Sequence, residues 1–307
     1  MTSSTLDALA STSTEQRKLL FKCEHLQRIG AFKIRGAMNA VLQLSPEQLE
    51  HGVVTHSSGN HAQALALAAR EAKSSAFVVM PSTSPQVKKD AVAGYGAQVT
   101  ECPPTLADRE RTAQEIVDRT GATFIHPYND PRVMAGQGTQ MLELLEQAAE
   151  SGHAPLDAVL VPVGGGGMLS GCATVAKALS PGTRVFGCEP ILAADAAESL
   201  KTGIRQPQRP PVSCADGLLT ALGENGFAVI QQHVDAIFTV TEEEIIRAMN
   251  FVWERMKQVI EPSGAVGVAV ALYNKEFRAL QGIDNVGVIL CGGNVQLDRA
   301  AALFASL

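Results

Sequence analysis

Three short runs carry residue types that can do chemistry together. Lys33 stands in Phe32-Lys33-Ile34-Arg35-Gly36, behind Gly30-Ala31, with apolar neighbours on both sides. A lysine so placed is open to burial, and a desolvated amine condenses with an aldehyde to a Schiff base that a substrate amine can later displace. Taken alone, a lysine reads as a solvated surface charge, and it is the apolar setting that opens the other reading. Ser57-Ser58-Gly59-Asn60-His61 offers hydroxyl, amide and N–H donors at a helix start, a receptor for a carboxylate, although these residues also make an ordinary helix cap. Asp157 to Val163 runs as an apolar strand into Gly164-Gly165-Gly166-Gly167, and Met168-Leu-Ser-Gly continues as a helix. Glycines let backbone N–H groups converge and a helix start adds partial positive charge, so this turn suits a phosphate better than a flexible connector does. An amine, a carboxylate receptor and a phosphate loop are what an enzyme needs to hold pyridoxal 5'-phosphate and an amino acid.

The elements that position these runs alternate. Gly52 to His56 precedes the helical stretch His61 to Glu71, Ser75 to Met80 precedes Gln86 to Tyr95, and Ala158 to Val163 precedes Met168 to Leu179. That alternation predicts an α/β fold of parallel sheets with helices on both faces. Ligands in such sheets bind at the carboxyl ends of strands, and all three runs are expected to fall at strand-to-helix turns. Ser199 to Cys214, with Pro207, Pro210 and Pro211, reads as an irregular excursion. From Thr241 to Leu272 the acids of Glu242-Glu243-Glu244 suit a helix start, Glu261-Pro262-Ser263-Gly264 reads as a break, and a second helix follows.

A chain of 307 residues with 46% hydrophobic content can bury a substantial core. Its net charge of -6 is spread without a basic block, which leaves no basis for a nucleic-acid or anionic-membrane partner. The six cysteines, Cys23, Cys102, Cys172, Cys188, Cys214 and Cys291, lie far apart without zinc-type spacing and read as reduced thiols of a cytoplasmic protein. No apolar stretch is long enough to span a membrane, so a small-molecule substrate is expected.

Two further patterns leave alternatives open. Gly165-x-Gly167-x-x-Ser170 is a degenerate dinucleotide fingerprint, with Glu189 available for a ribose, which would make the chain a nicotinamide-dependent dehydrogenase; the third glycine is absent. Glu189-Pro190-x-x-Ala193-x-Asp195 offers two carboxylates and a carbonyl, hard oxygen ligands for Mg²⁺ or Ca²⁺, and otherwise reads as a solvated acidic loop.

The stretches FKCEHLQRIGAFKIRGAMNAV, THSSGNHAQALALAA, AGQGTQMLELLEQ, VPVGGGGMLSG, VWERMKQVIEPSGAVGVA and CGGNVQLD together resemble the fold-type II pyridoxal-phosphate enzymes, tryptophan synthase β-like, and within them the serine and threonine dehydratase branch. The resemblance is strongest to members that racemise serine, with the threo-3-hydroxyaspartate ammonia-lyases nearly as close. It implies two parallel-sheet α/β domains with the site between them: a large cofactor-binding domain of residues 1–51 and 130–307 and a small mobile domain of residues 52–129. It makes Lys33 the Schiff-base lysine and the base on one face of the substrate, and Ser58 the acid/base on the other. Threonine dehydratases of this branch usually show SAGNH where this chain has SSGNH, so the Ser58 hydroxyl is what would permit racemisation as well as β-elimination to pyruvate and ammonia.

By the same resemblance Phe32 packs against the cofactor ring, Asn60 hydrogen-bonds its phenolic oxygen, Gly164, Gly165, Gly166, Gly167 and Met168 hold its phosphate, and Ser57, Ser58, Asn60, His61 and Arg109 receive the substrate. Cys291 meets the pyridine nitrogen where the racemising members carry serine. Liver-type serine dehydratases resemble this chain in using cysteine there. Glu189, Ala193 and Asp195 become ligands of Mg²⁺, Ca²⁺ or Mn²⁺. Ser3, Ser4, Gln63, Tyr95, Lys257 and Asn294 match an ATP effector site between subunits of a homodimer, with Arg28 in place of a lysine and Thr5 in place of an apolar residue. L-serine, D-serine, threonine and 3-hydroxyaspartate are the implied substrates. Met1 falls just after the family's Thr-Pro-Val strand, which suggests either an incomplete start or a large domain lacking an edge element, and hence a less stable dimer.

Overall fold

The structure, a computed structural model, describes residues 1–207, 210 and 212–307. Packing divides the chain into two units, Met1–Phe32 with Gly138–Leu307, and Lys33–Gln137. Each unit is built on its own all-parallel sheet, as the β-α alternation predicts.

The first unit holds β1 (Lys18–Cys23), β6 (Ala158–Pro162), β7 (Arg184–Pro190), β8 (Ala236–Val240) and β9 (Asn285–Leu290), in the order β1-β9-β6-β7-β8. β6 is apolar and buried throughout, and β9 is so from Val286 to Leu290, as expected of a parallel sheet covered on both faces. The helix Pro262–Tyr273 is buried from Pro262 to Leu272 and belongs to the core cluster that includes Leu160, Phe186, Val288 and Leu290. A helix apolar on all sides can only sit inside a core. Pro262 stands in the first turn of this helix, where its missing N–H costs nothing, so Glu261-Pro262 marks a beginning and not a break. The preceding helix ends earlier, at Phe251, and passes through a widened turn, Val252–Met256, to Lys257 in a left-handed conformation. The expected excursion over Ser199 to Cys214 begins only after the helix Asp195–Thr202, and Gln208, Arg209 and Pro211 lie outside the described residues.

The second unit holds β2 (Val53–His56), β3 (Ala76–Pro81), β4 (Gln98–Cys102) and β5 (Thr123–Phe124) in the order β4-β3-β2-β5. The sequence reading gives residues 33–51 and 130–137 to the large domain, whereas packing groups them here. The reason is local: the helix Lys33–Leu42 packs on the helix Asn60–Glu71, the Gly36 N–H donates to Gln137 Oε1 at 3.1 Å, and Asn39 Nδ2 donates to the Arg132 carbonyl at 2.7 Å. Gly36 and Gly136 let the backbones of the Lys33–Leu42 and Pro131–Glu150 helices touch. A Cβ on Gly136 would stand 2.6 Å from the Arg35 carbonyl oxygen and 2.6 Å from Gly36 Cα. Among the described residues no helix is long and apolar enough to cross a membrane, and none of the six cysteines is joined in a disulfide.

Because both obstructions are backbone atoms, Gly136→Ala must push apart the helix that begins with Lys33. The expected loss is about 1–3 kcal/mol of unfolding free energy, read as a lower denaturant midpoint. A variant as stable as the parent would show that this close approach is not needed.

Candidate active site

The glycine loop is built by exclusion. Gly166 has φ +85°, and a Cβ on it would lie 2.7 Å from Leu222 Cδ1. A Cβ on Gly164 would lie 2.9 Å from the Leu218 backbone, so neither position has room for a side chain. All four glycines and Met168 are buried. The helix Gly167–Leu179 starts from this loop with no side chain capping it. The first N–H groups of a helix have no intrahelical acceptor, so this start offers backbone donors and the positive end of a helix to an anion.

The Ser57–His61 turn follows the same pattern in the other unit. β2 is buried at all four positions, and the helix Asn60–Glu71 begins at Gly59 without a side-chain cap. Ser57 Oγ accepts instead from the Gly59 N–H at 3.3 Å, which tightens the turn. The ordinary helix-cap alternative is therefore not what the structure shows.

Lys33 opens the helix Lys33–Leu42 and is half-buried, with its Nζ donating to the Pro127 carbonyl at 3.0 Å. Two imidazoles, His61 and His126, feel its charge, and His56 lies near both of them. His61 is 2% exposed, with the Ile125 backbone as a polar neighbour of its ring. Burial first, and then Lys33, His126 and His56, hold it well below the usual imidazole value. Burial and the neighbouring Arg109 guanidinium lower His56 to about 4. Burial, His56 and Lys33 lower His126 to about 4 against the opposing charge of Asp130. The His56 ring stacks on Phe124 at 5.6 Å and meets His126 edge-on at 6.1 Å. Arg109 has a buried Nε without a partner. Lys33, Ser57, Ser58, Asn60, His61 and Arg109 thus all belong to the second unit, and the charges of Lys33 and Arg109 converge on its buried histidines.

The first unit groups the rest. The Phe32 N–H donates to the Cys291 carbonyl at 3.1 Å, and Ala31 bridges Gly292. Phe32 packs against the cluster that contains Met168 and buried Cys291. Ile29 and Gly30, just upstream, are both left-handed, with φ of 61° and 70°. A β-branched residue in that region costs on the order of 1–3 kcal/mol. The Asn294 side chain donates to the Ile29 carbonyl at 2.7 Å and the Gly293 N–H to the Gly30 carbonyl at 2.9 Å, which holds the strained pair.

Glu189 ends β7, 1% exposed, and its two carboxylate oxygens accept the N–H groups of Ala196 and Ala197 at 3.0 and 2.9 Å. Asp195 accepts the Leu222 N–H at 3.1 Å. Burial, opposed by the two amides and reinforced by Asp195, lifts Glu189 to about 8; burial also raises Asp195. Among the described residues no group of three or more His, Cys, Asp or Glu side chains stands ready for a metal. The nucleotide set is divided: Ser3, Ser4, Lys257 and Asn294 lie in the first unit, Gln63 and Tyr95 in the second. Ser3 caps the helix Ser4–Ala10, Tyr95 lies under Arg70 at 5.6 Å, and Asn294 clamps Ile29.

His56, His126 and the Pro127 carbonyl are not among the sequence-derived candidates. His56 had a signal, since it closes the strand that leads into the Ser57 turn. The Pro127 carbonyl had none, because any residue has one.

The chain belongs to the pyridoxal-phosphate dependent enzyme family, whose model matches residues 5–292. It is 46% identical over 305 residues to a serine racemase of Dictyostelium discoideum, covering 99% of this chain and 91% of that one. It is 48% identical over 282 residues to a β-hydroxyaspartate dehydratase of Paracoccus denitrificans, covering 92% and 87%. The solved structure of maize serine racemase superposes with a TM-score of 0.92 at 40% identity, covering 100% of this chain and 90% of the other. The dinucleotide reading of the glycine loop therefore loses its ground.

The depressed histidines make the fold sensitive to acid. An unfolded histidine takes its proton near pH 6.5, whereas His56 and His126 take theirs only near 4, so the unfolded chain binds more protons between those values. Stability is then lost as pH falls from about 6.5 toward 4, by up to about 1.4 kcal/mol per pH unit per fully buried histidine. Urea midpoints at pH 7 and 5 should differ less for His56→Gln than for the parent; an unchanged difference would remove His56 from this account.

Proposed function

We propose that this chain is an amino-acid racemase that interconverts L- and D-serine and also eliminates the β-hydroxyl of serine to give pyruvate and ammonia. The observation that carries the reading is the placement of the Lys33 amine and the Ser57–His61 turn in one packed unit, with His61 close enough to Lys33 for the amine to lower its proton affinity. The similarity to serine racemases over nearly the whole chain supports it.

The residues fit pyridoxal 5'-phosphate on two structural grounds. The glycines Gly164–Gly167 form a side-chain-free cradle at an uncapped helix start, suited to the phosphate, and Lys33 presents an amine for the aldehyde beside the buried His61 imidazole. When bound, the cofactor supplies an electron sink for charge developing at the substrate Cα. Phe32 would lie against its ring, Asn60 at its phenolic oxygen and Cys291 at its pyridine nitrogen. A thiol there is a weak hydrogen-bond donor and leaves that nitrogen largely unprotonated. Ser57, Asn60 and His61 would receive the substrate carboxylate. Lys33 removes or returns the Cα proton on one face and Ser58 on the other, so proton transfer through both inverts the centre, while loss of the β-hydroxyl diverts the substrate to pyruvate. The smaller unit, residues 52–129 in the sequence reading, would close over the substrate to exclude water.

A second reading, deamination of threo-3-hydroxyaspartate, is favoured by Arg109, whose buried Nε lacks a partner and suits a second carboxylate. The similarity to the Paracoccus dehydratase supports it too. A serine or threonine dehydratase differs from the main reading only in lacking inversion.

Glu189, Ala193 and Asp195 would hold a divalent cation, because a buried carboxylate beside a half-buried one gains from a positive ion that offsets their desolvation. The enzyme would work as a cytoplasmic homodimer, with ATP as an effector at Ser3, Ser4, Gln63, Tyr95, Lys257 and Asn294.

Incubating the loaded enzyme with L-serine and, in parallel, L-threo-3-hydroxyaspartate should give D-serine and pyruvate from the first; oxaloacetate from the second with no D-serine from the first would move the protein to the ammonia-lyases. Ser58→Ala should abolish D-serine formation, by at least about 100-fold for loss of an acid/base, while pyruvate persists. D-serine from that variant would remove Ser58 from its role. Saturating Mg²⁺ should add about 1–3 kcal/mol of stability over a chelated sample by mass action, and Glu189→Gln should lose that gain. Identical melting with and without Mg²⁺ would reject the cation.

A further inference from the structure

His126, which the proposed reaction leaves without a role, closes a turn on its own backbone. Its Nδ1 accepts the N–H of Asn129 at 2.9 Å and the N–H of Tyr128 at 3.3 Å. An atom that accepts two amide hydrogens keeps its lone pair, so the proton of the neutral ring sits on Nε2. Protonating Nδ1 would break both bonds, and burial among His56 and Lys33 opposes it further. The ring is locked in place as well: Tyr128 meets it edge-on at 4.6 Å, and Phe124 and His56 meet it edge-on at 6.1 Å each. The turn enclosed by these bonds contains Pro127, whose φ is fixed and whose only backbone polar atom is its carbonyl oxygen. That oxygen accepts from Lys33 Nζ at 3.0 Å.

We infer that His126 is a positioning residue: its imidazole staples the His126–Asn129 turn so that the Pro127 carbonyl is the docking point for the Lys33 amine whenever a substrate amine has displaced it. The inference rests on the reading of Lys33 as the cofactor lysine. A released lysine amine has many rotamers open to it, and one fixed acceptor keeps it from swinging away between leaving and returning. Asparagine or aspartate usually make such a side-chain-to-backbone turn. Imidazole has the longer reach, adds ring packing with Tyr128, and carries no charge beside an amine.

The test uses three variants of the full chain. His126→Phe keeps the ring packing and loses the acceptor, His126→Ala loses both, and His126→Asn keeps an acceptor for the same N–H groups. In protein stripped of cofactor, labelling of Lys33 by acetic anhydride is followed by peptide mass spectrometry. Loss of a hydrogen bond to the amine should raise the labelling rate about tenfold in the Phe and Ala variants and leave the Asn variant within about twofold of the parent. In the loaded enzyme, kcat for L-serine should fall about tenfold in Phe and Ala with KM little changed, and recover in Asn. Parent-like labelling and kcat in His126→Phe would overturn the inference, and so would a His126→Asn variant as impaired as Phe. The reading beneath it is judged separately, on the parent: pyridoxal phosphate should protect Lys33 from labelling, and failure to protect would reject Lys33 as the cofactor lysine whatever His126 does.

Discussion

The two candidate anion-binding turns, one in each unit, depend on one constraint, a helix that begins after a buried parallel strand without a side chain to cap it. A helix start carries unsatisfied N–H groups and partial positive charge, and a protein normally covers them with Ser, Thr, Asp or Asn. At Gly59 and at Gly166 it does not. The strands leading in, β2 and β6, are buried along their whole length and can end only at the carboxyl edge of their sheets, where the next residues must turn sharply. Glycine at 166 is required by a positive φ and by Leu222, and with no side chain there only backbone lines this point of the turn. The two anions of the proposed chemistry, a phosphate and a carboxylate, are matched to these two helix starts.

The second unit also solves a problem of charge. Lys33, Arg109 and three histidines lie near one another, and only Asp130 opposes His126 among the groups that act on it. Were the imidazoles charged, the region would repel itself strongly at the low dielectric of a buried site. Burial keeps them neutral at ordinary pH, so the formal cations are left at Lys33 and Arg109, the two side chains proposed to act toward aldehyde and carboxylate. The cost appears only on acidification.

How much of this was legible beforehand follows from the range of each interaction. The strands from Val53, Ala76 and Ala158 and the helices that follow them were readable because their apolar runs and glycine turns are contiguous in sequence. β5 was not, since two residues, Thr123–Phe124, carry no period. Pro262 misled by its type, because proline ends a helix in its interior but starts one at the first turn. The grouping of residues 33–51 with the second unit depends on contacts such as Gly36 with Gln137 and Asn39 with Arg132, which meet across 101 and 93 positions and leave no mark in the neighbouring sequence. The Pro127 carbonyl was invisible for a different reason: the chemistry is in the backbone, and only the neighbouring histidine gives it an address.

Asn294 shows why a residue matched by resemblance has to be read again in place. Its side chain donates to the Ile29 carbonyl, and its own N–H donates to Glu261 at 3.2 Å. The first bond holds a left-handed β-branched residue four positions before Lys33, and a Cβ on Gly30 would already collide with the Asn294 amide at 2.7 Å. Strain at Ile29 persists only while such contacts over-determine it. A change at Asn294 would therefore release the approach to Phe32 and Lys33 whether or not a nucleotide binds there, and its effect on activity would say nothing about an effector. Tyr95, which rests under Arg70 on the surface of the other unit and has no part in that clamp, is the position at which nucleotide sensitivity can be separated from the integrity of the lysine's own approach.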